Sequence, residues 1–217
     1  MAIRVAIFDF DGTLADSFAA ITASTNFVRG SFDLPALAES EVRRFVGFGL
    51  AHLMRELVTG ADPLEAVRRY REHHPSVMIA GTTLMPGVSE TIPELHRRGI
   101  ELAVCSNKAV HFTRQLVEAF GFQGVLRPVL GPEDVKGQAK PDPAMVFECL
   151  NRLGARREEA VYVGDMAIDV KTARAAGVAC WLVPGGAPGL ESAAAAGPDR
   201  ILRGFDELLE LLPGGAR

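Results

Sequence analysis

The sequence predicts an α/β protein: a parallel β-sheet covered by helices on both faces, with a small all-helical domain inserted near its start. Three observations carry that expectation. The chain opens on a short β-branched apolar run, residues 4–9, which ends in the carboxylate of Asp9 and meets Gly12-Thr13 at once. From residue 84 onward, helix-like and strand-like segments alternate, the signature of a parallel sheet with crossover helices. Residues 16–83 break that pattern, with no convincing strand and several helical stretches separated by Gly or Pro.

In chain order, the run 4–9 reads as a buried strand entering a turn. The helical block follows, with stretches near 17–29, 39–46, 50–58 and 62–73. Asp62-Pro63-Leu64-Glu65 supplies the last of these with an N-cap, a first-turn proline and a capping-box Glu. A helix over 88–98 places Val88, Ile92 and Leu95 on one face and ends at Gly99, where a C-terminal glycine belongs. A strand over 101–106 comes next, then a helix over 110–120 closed by Gly121 and a strand over 125–130. Asp142-Pro143 opens a further helix, with Asp142 as N-cap and Pro143 at the first helical position. Strands over 160–163 and 180–183 flank a helix over 169–176 that Gly177 closes. The expected organisation is a core of 1–15 and 84–217, with 16–83 as a helical lid over the sheet's active end. The Ala run near 193–196 reads as surface helix.

Composition removes several classes of function. The 217 residues are 48% apolar and 23% charged, as in a soluble globular enzyme. A net charge of -4 argues against a broad nucleic-acid or anionic-membrane surface. Cys105, Cys149 and Cys180 show neither metal-ligand spacing nor a disulfide framework, and read as buried free thiols. The apolar N-terminal stretch is too short for a signal-peptide core, and no run reaches the length of a membrane span, so a cytoplasmic protein is expected. Arginine outnumbers lysine 19 to 4, which draws attention to Lys108, Lys136, Lys140 and Lys171.

Four short segments carry the chemistry, and each falls just past a predicted strand. In an open parallel sheet that puts all four at the carboxyl edge, where such folds bind ligands. In the first, Asp9-Phe10-Asp11-Gly12-Thr13-Leu14, Asp9 and Asp11 point the same way if the strand continues, because side chains alternate with period two. Two such carboxylates repel unless a cation or shared proton joins them. An Asp-Gly turn explains Asp11-Gly12 but leaves Asp9 without a reason. The second, Ser106-Asn107-Lys108, offers small polar groups and backbone N–H groups suited to a phosphoryl oxygen, or simply a helix cap. The third, Lys140-Pro141-Asp142-Pro143, holds a lysine on extended backbone, which in isolation would be a solvated surface residue. The fourth runs from Gly164 to Asp169. A strand delivers Asp165 to the sheet edge, while Asp169 sits near a helix N-terminus, where the dipole favours a carboxylate with or without metal. Together they supply all-oxygen ligation with few carboxylates, the preference of Mg²⁺ with waters and a phosphate completing the shell. A phosphate dianion cannot approach bare carboxylates, so a cation and a lysine are needed to reverse the field.

With these residues in view, the chain resembles the haloacid dehalogenase superfamily, in the branch with a helical cap inserted after the first motif. The likeness covers nearly the whole chain. It rests on DFDGTLADS (9–17), Met85-Pro86-Gly87-Val88, SNK (106–108), KPDP (140–143) and GDMAIDVKTARAAG (164–177). Within that superfamily it is nearest to the phosphoglycolate phosphatases, through Val46-Gly47-Phe48-Gly49-Leu50 and the core. The resemblance implies a Rossmann-like core and Mg²⁺-dependent hydrolysis of a small phosphorylated metabolite through an aspartyl-phosphate. It implies Asp9 as nucleophile and Asp11 as acid/base; dehalogenating relatives lack that second Asp. Mg²⁺ would be held by Asp9, the backbone carbonyl of Asp11, Asp165 and Asp169. Ser106 and Lys140 would stabilise the phosphoryl group, with backbone N–H groups near Gly12 and Asn107 joining them. Thr13 is either a further phosphate contact or a cap. A monomer or homodimer is expected.

Substrate choice is expected in the helical block, where Arg43, Arg44 and Arg55 flank 46–50; they could bind a carboxylate, but long charged side chains usually lie solvated on the surface, and that is the expectation for them. His73 and His74 are explained by dipole compensation at a helix end. Pyrophosphate, nucleotides and sugar phosphates stay open as substrates. A phosphomutase and a slowly dephosphorylating receiver-like module remain as rival functions.

Overall fold

The computed structural model describes residues 2–185 and 190–214. The first strand, β1 (Val5–Phe8), consists of four buried residues and takes the middle of the sheet. The chain then passes through β2 (Ala15–Asp16) into α1 (Phe18–Gly30), α2 (Glu39–Val42), α3 (Leu50–Leu57) and α4 (Pro63–His73). It returns through β3 (Thr83–Leu84), which pairs antiparallel with β2, so the exit and re-entry points of the helical segment are tied together. Next come α5 (Val88–Arg97), β4 (Glu101–Cys105), α6 (Val110–Ala119), β5 (Leu126–Leu130), α7 (Ala144–Leu153), β6 (Ala160–Gly164), α8 (Ala167–Ala176) and β7 (Ala179–Leu182). The chain continues through α9 (Leu190–Ala195), β8 (Arg200–Ile201) and α10 (Leu208–Leu211).

Among the described residues the main sheet has six strands in the order β5-β4-β1-β6-β7-β8, and every pairing is parallel. Val5 lies between Glu101 and Ala160, and Phe8 between Val104 and Val163. The chain builds outward from β1 on one side and then jumps to the other, so β1 marks the topological switch point where ligands bind in such sheets.

Alternation along the strands sorts the core into two layers. Ala6, Phe8, Val104 and Val163 pack with α5, α6, α10 and the helical segment; Val5, Ile7, Cys105 and Tyr162 pack with α7, α8 and α9. Burial of Ile7 and Phe8 contributes roughly 1.5–3 kcal/mol each. No helix among the described residues is long and apolar enough to cross a membrane.

The expected elements are present, with shifted ends. Asp142 is not the N-cap of α7; Pro143 holds that place, and the Asp142 carboxylate accepts from the N–H of Ala144 at 2.9 Å, an Asx turn one residue early. The helix expected over 39–46 ends at Val42 and tightens into a 3₁₀ turn to Phe45, before Gly47 adopts φ +97°. The helix expected from Asp169 begins at Ala167, because the Asp169 carboxylate reaches back to the N–H of Met166 at 3.0 Å. The alanine run is not pure surface, since Ala193 is buried against the sheet layer that contains Tyr162. The expected core extends over 186–189 and 215–217, which lie outside the described residues.

Candidate active site

The four segments meet at the carboxyl edge of the sheet. Asp9 follows β1, and its N–H still donates to the Val163 carbonyl at 2.9 Å, so the ladder fixes its backbone. Ser106 follows β4, with its N–H on the Leu130 carbonyl. Asp165 follows β6, and Asp169 stands in the first turn of α8.

Lys140 does not reach outward into solvent. Its side chain is wholly buried, and Nζ bridges Asp9 Oδ2 at 2.8 Å and Asp169 Oδ1 at 2.7 Å. Burial alone would lower the Lys140 pKa, but Asp169 and Asp9 outweigh it and hold the ammonium above its usual range. Asn107 braces the lysine from both sides: its Oδ1 accepts from the Lys140 N–H at 2.7 Å, and its Nδ2 donates to the Lys140 carbonyl at 3.1 Å.

Asp9, Asp165 and Asp169 each bring a carboxylate oxygen within 4.8 Å of the others. Asp169 Oδ2 is satisfied by the N–H groups of Asp165 and Met166, and Asp165 Oδ1 by the Thr13 hydroxyl at 2.9 Å. Asp9 Oδ1 and Asp165 Oδ2 are buried with no hydrogen-bond partner. Burial pushes the Asp165 carboxyl well up, and Asp169 and Asp9 push the same way. Three buried carboxylates against one ammonium leave negative charge, and two orphaned oxygens face inward. A hard divalent cation with oxygen ligands fits that donor set. Gly12 permits the crowding: at φ +86°, a Cβ there would stand 2.4 Å from Asp165 Oδ2.

Asp11 stands apart from the acidic triad. Its carboxylate accepts from the Ser17 hydroxyl and from Lys108 Nζ at 3.1 Å, and both side chains of the ion pair are nearly buried. The N–H groups of Gly12 and Thr13, expected among the phosphate contacts, are donated to the carbonyls of Ala15 and Phe10. Sequence reasoning missed the Lys108–Asp11 and Ser17–Asp11 contacts. The scarcity of lysine was the only signal for the first, and the Ser of DFDGTLADS for the second.

A cleft joins this edge to the helical segment. Asp9, Asp11, Ser106, Asn107 and Lys108 form its floor; Phe45–Gly47, Leu50, Leu53, Tyr70 and His74 form its roof. Roof and floor touch where Asn107 Nδ2 donates to the Gly47 carbonyl at 3.0 Å. Arg43, Arg44 and Arg55 do not line it. Arg43 is held by Asp16 and Glu39 over the Phe18 ring, Arg55 bonds Glu56 and His52, and Arg44 is exposed.

His74, expected only as a dipole-compensating residue at a helix end, is buried. Burial lowers its pKa to about 3, helped by Lys108, His73 and His111. A histidine depressed in the fold contributes stability above its unfolded pKa, near 6.5, and that stability drains away as pH falls toward 3. Urea titrations of the metal-free protein should therefore show a loss on the order of a few kcal/mol between pH 7 and 4. His74→Gln should flatten that slope; an unchanged slope assigns the acid sensitivity elsewhere.

A family model described as haloacid dehalogenase-like hydrolase matches residues 6–183. A phosphoglycolate phosphatase of Rhodospirillum rubrum is 35% identical over 186 residues, covering 81% of this chain and 77% of that protein. Another, from Photorhabdus laumondii, is 30% identical across 97% of this chain and 92% of its own length. The crystal structure of a predicted phosphoglycolate phosphatase from Haemophilus somnus matches with a TM-score of 0.86 at 26% identity, covering 96% of this chain and 97% of that one.

Proposed function

The chain belongs to the haloacid dehalogenase-like hydrolases, and from that premise we propose that it is a Mg²⁺-dependent phosphatase that hydrolyses 2-phosphoglycolate through an aspartyl-phosphate on Asp9. The observation that carries the reading is the buried Asp9–Lys140–Asp169 bridge, with Asp165 beside it and one oxygen each of Asp9 and Asp165 left without a partner. The relatives named above support the substrate.

Asp9, with Oδ2 on Lys140, attacks phosphorus in line; the new P–O bond forms as the bond to the leaving oxygen breaks. Asp11 gives that oxygen its proton, then takes a proton from the water that cleaves the aspartyl-phosphate and frees orthophosphate. Ser17 and Lys108 hold Asp11 in place. The Ser106 hydroxyl, the Lys140 ammonium and the Asn107 N–H stabilise the phosphoryl oxygens, while Gly12 and Thr13 shape the loop. Asp9, Asp165, Asp169 and the Asp11 carbonyl would hold the Mg²⁺, which when bound offsets the charge of the carboxylates and the phosphate. Residues 16–83 act as a cap that shuts out water, and 1–15 with 84–217 form the catalytic core. Three buried reduced thiols suit a reducing compartment, so the cytoplasm is the proposed place of work.

The test is phosphate release from 2-phosphoglycolate, pyrophosphate, and several sugar and nucleotide phosphates, with Mg²⁺ and with EDTA. The expected result is a preference for phosphoglycolate that EDTA removes and Mg²⁺ restores. Activity spread evenly over the panel keeps the chemistry and discards the substrate. Silence on every ester, or indifference to EDTA, overturns the reading.

A further inference from the structure

We propose that His74 is a specificity-determining residue that contacts substrate: its Nε2–H donates to the carboxylate on the leaving-group side of a two-carbon phosphorylated acid. The proposal rests on the phosphoglycolate reading and adds how the acid end is recognised.

His74 is 1% exposed and lines the cleft that also holds Asp9 and Asp11. Its ring is fixed, stacked on Tyr70 at 4.8 Å between centroids and edge-on to Phe112 at 4.9 Å. Nε2 is buried with no hydrogen-bond partner. A polar atom so placed costs stability unless something pairs with it, and buried polar atoms in folded proteins are nearly always paired. An oxygen entering the cleft supplies that partner.

Ser24 links the two histidines, and we take the relay that runs from His73 to His74. The Ser24 Oγ lies 2.9 Å from His74 Nδ1 and 3.2 Å from His73 Nδ1. One hydroxyl proton can serve only one of them. With His73 Nδ1–H donating to Ser24, and Ser24 donating to His74 Nδ1, the neutral His74 ring carries its proton on Nε2. Burial keeps both rings toward the neutral form. Ser24 is thus a positioning residue.

Beside the carboxylates of Asp9 and Asp11, the cleft also carries hydrogen-bond donors. Lys108, whose Nζ pairs with Asp11, and Tyr70 line the same cleft, and Tyr70 keeps its proton because burial and Asp11 raise its pKa. An ammonium, an N–H and an O–H set in a wall of Ile21, Phe45, Leu53 and Phe112 select a ligand that presents acceptors. A carboxylate two carbons from the phosphorus is such a ligand, and no arginine is needed to bind it.

The experiment compares kcat/KM for 2-phosphoglycolate with kcat/KM for ethyl phosphate, which has the same chain length and no carboxylate. In His74→Phe the ratio should fall by about tenfold or more, mainly through KM for phosphoglycolate. His74→Gln, which keeps an N–H donor, should recover part of it. A ratio unchanged in both variants, including equal losses on both esters, overturns the proposal and leaves the substrate reading intact. A wild-type ratio near one overturns the substrate reading, and this proposal with it. If thermal melts show His74→Phe unfolded, Ser24→Ala decides: a lowered ratio supports the relay, and an unchanged one removes it.

Discussion

Asp9→Asn is expected to lower phosphate release by at least about 10⁴-fold while leaving the fold intact. Asn has the shape of Asp, so the backbone bond to Val163 and the contact with Lys140 can persist. What is lost, on the proposed mechanism, is the anionic oxygen that attacks phosphorus, for which a neutral amide is no substitute. Stability should hold or rise, since Asp9 is one of three buried carboxylates crowded within 4.8 Å. Two measurements check this: phosphate release at saturating substrate, and a urea melt of the same preparation. A second readout is the covalent intermediate. Acid-quenched wild-type enzyme should carry a phosphoryl group on the peptide containing Asp9, and the variant should carry none. Activity within tenfold of wild type would end the case for Asp9 as nucleophile.

The core of this site was legible because the chemistry and the fold share one signal. A run such as VAIF announces a buried strand, and a carboxylate directly after it has no packing reason to be there. The same logic located Asp165 after β6 and Ser106 after β4. Lys140 was legible by motif and not by environment; only the packed structure shows that its ammonium is enclosed by Asp9 and Asp169. Contacts that close through space were out of reach. Lys108 and Asp11 lie 97 residues apart, and no local pattern links them. The helical segment was harder still. Periodicity finds a helix and its apolar face, but not what that face covers, so at the end of α4 only dipole compensation accounted for His74, whose ring packs between Tyr70 and Phe112. The arginines near 46–50 followed the reading that set them away from a ligand: Arg43 has Asp16, Glu39 and Phe18 as partners, and none of the three arginines lines the cleft.

Lys140→Met should cost both activity and stability, and the stability loss is the more telling. Methionine keeps the unbranched apolar stem of lysine and ends one atom short, where the ammonium was, so the change removes chiefly the charge. In the wild type that charge is wholly enclosed, at 2.8 Å from Asp9 and 2.7 Å from Asp169. Removing one partner of a buried ion pair typically costs about 3–5 kcal/mol, because the remaining charge is stranded in a medium that solvates it poorly. Here the stranded group is a cluster, with Asp165 already displaced toward its protonated form by burial and by Asp169 and Asp9. Urea denaturation in EDTA should show the full loss. In excess Mg²⁺ the gap between variant and wild type should narrow, because a cation bound among Asp9, Asp165 and Asp169 takes over part of the lysine's role as countercharge. Phosphate release should stay at least about 10³-fold down in either buffer, since the lysine also serves the phosphoryl oxygens. A loss below about 1 kcal/mol in EDTA would mean that the carboxylates are not held ionised by Lys140. A gap that Mg²⁺ leaves unchanged would mean that the acidic triad is not where the metal sits.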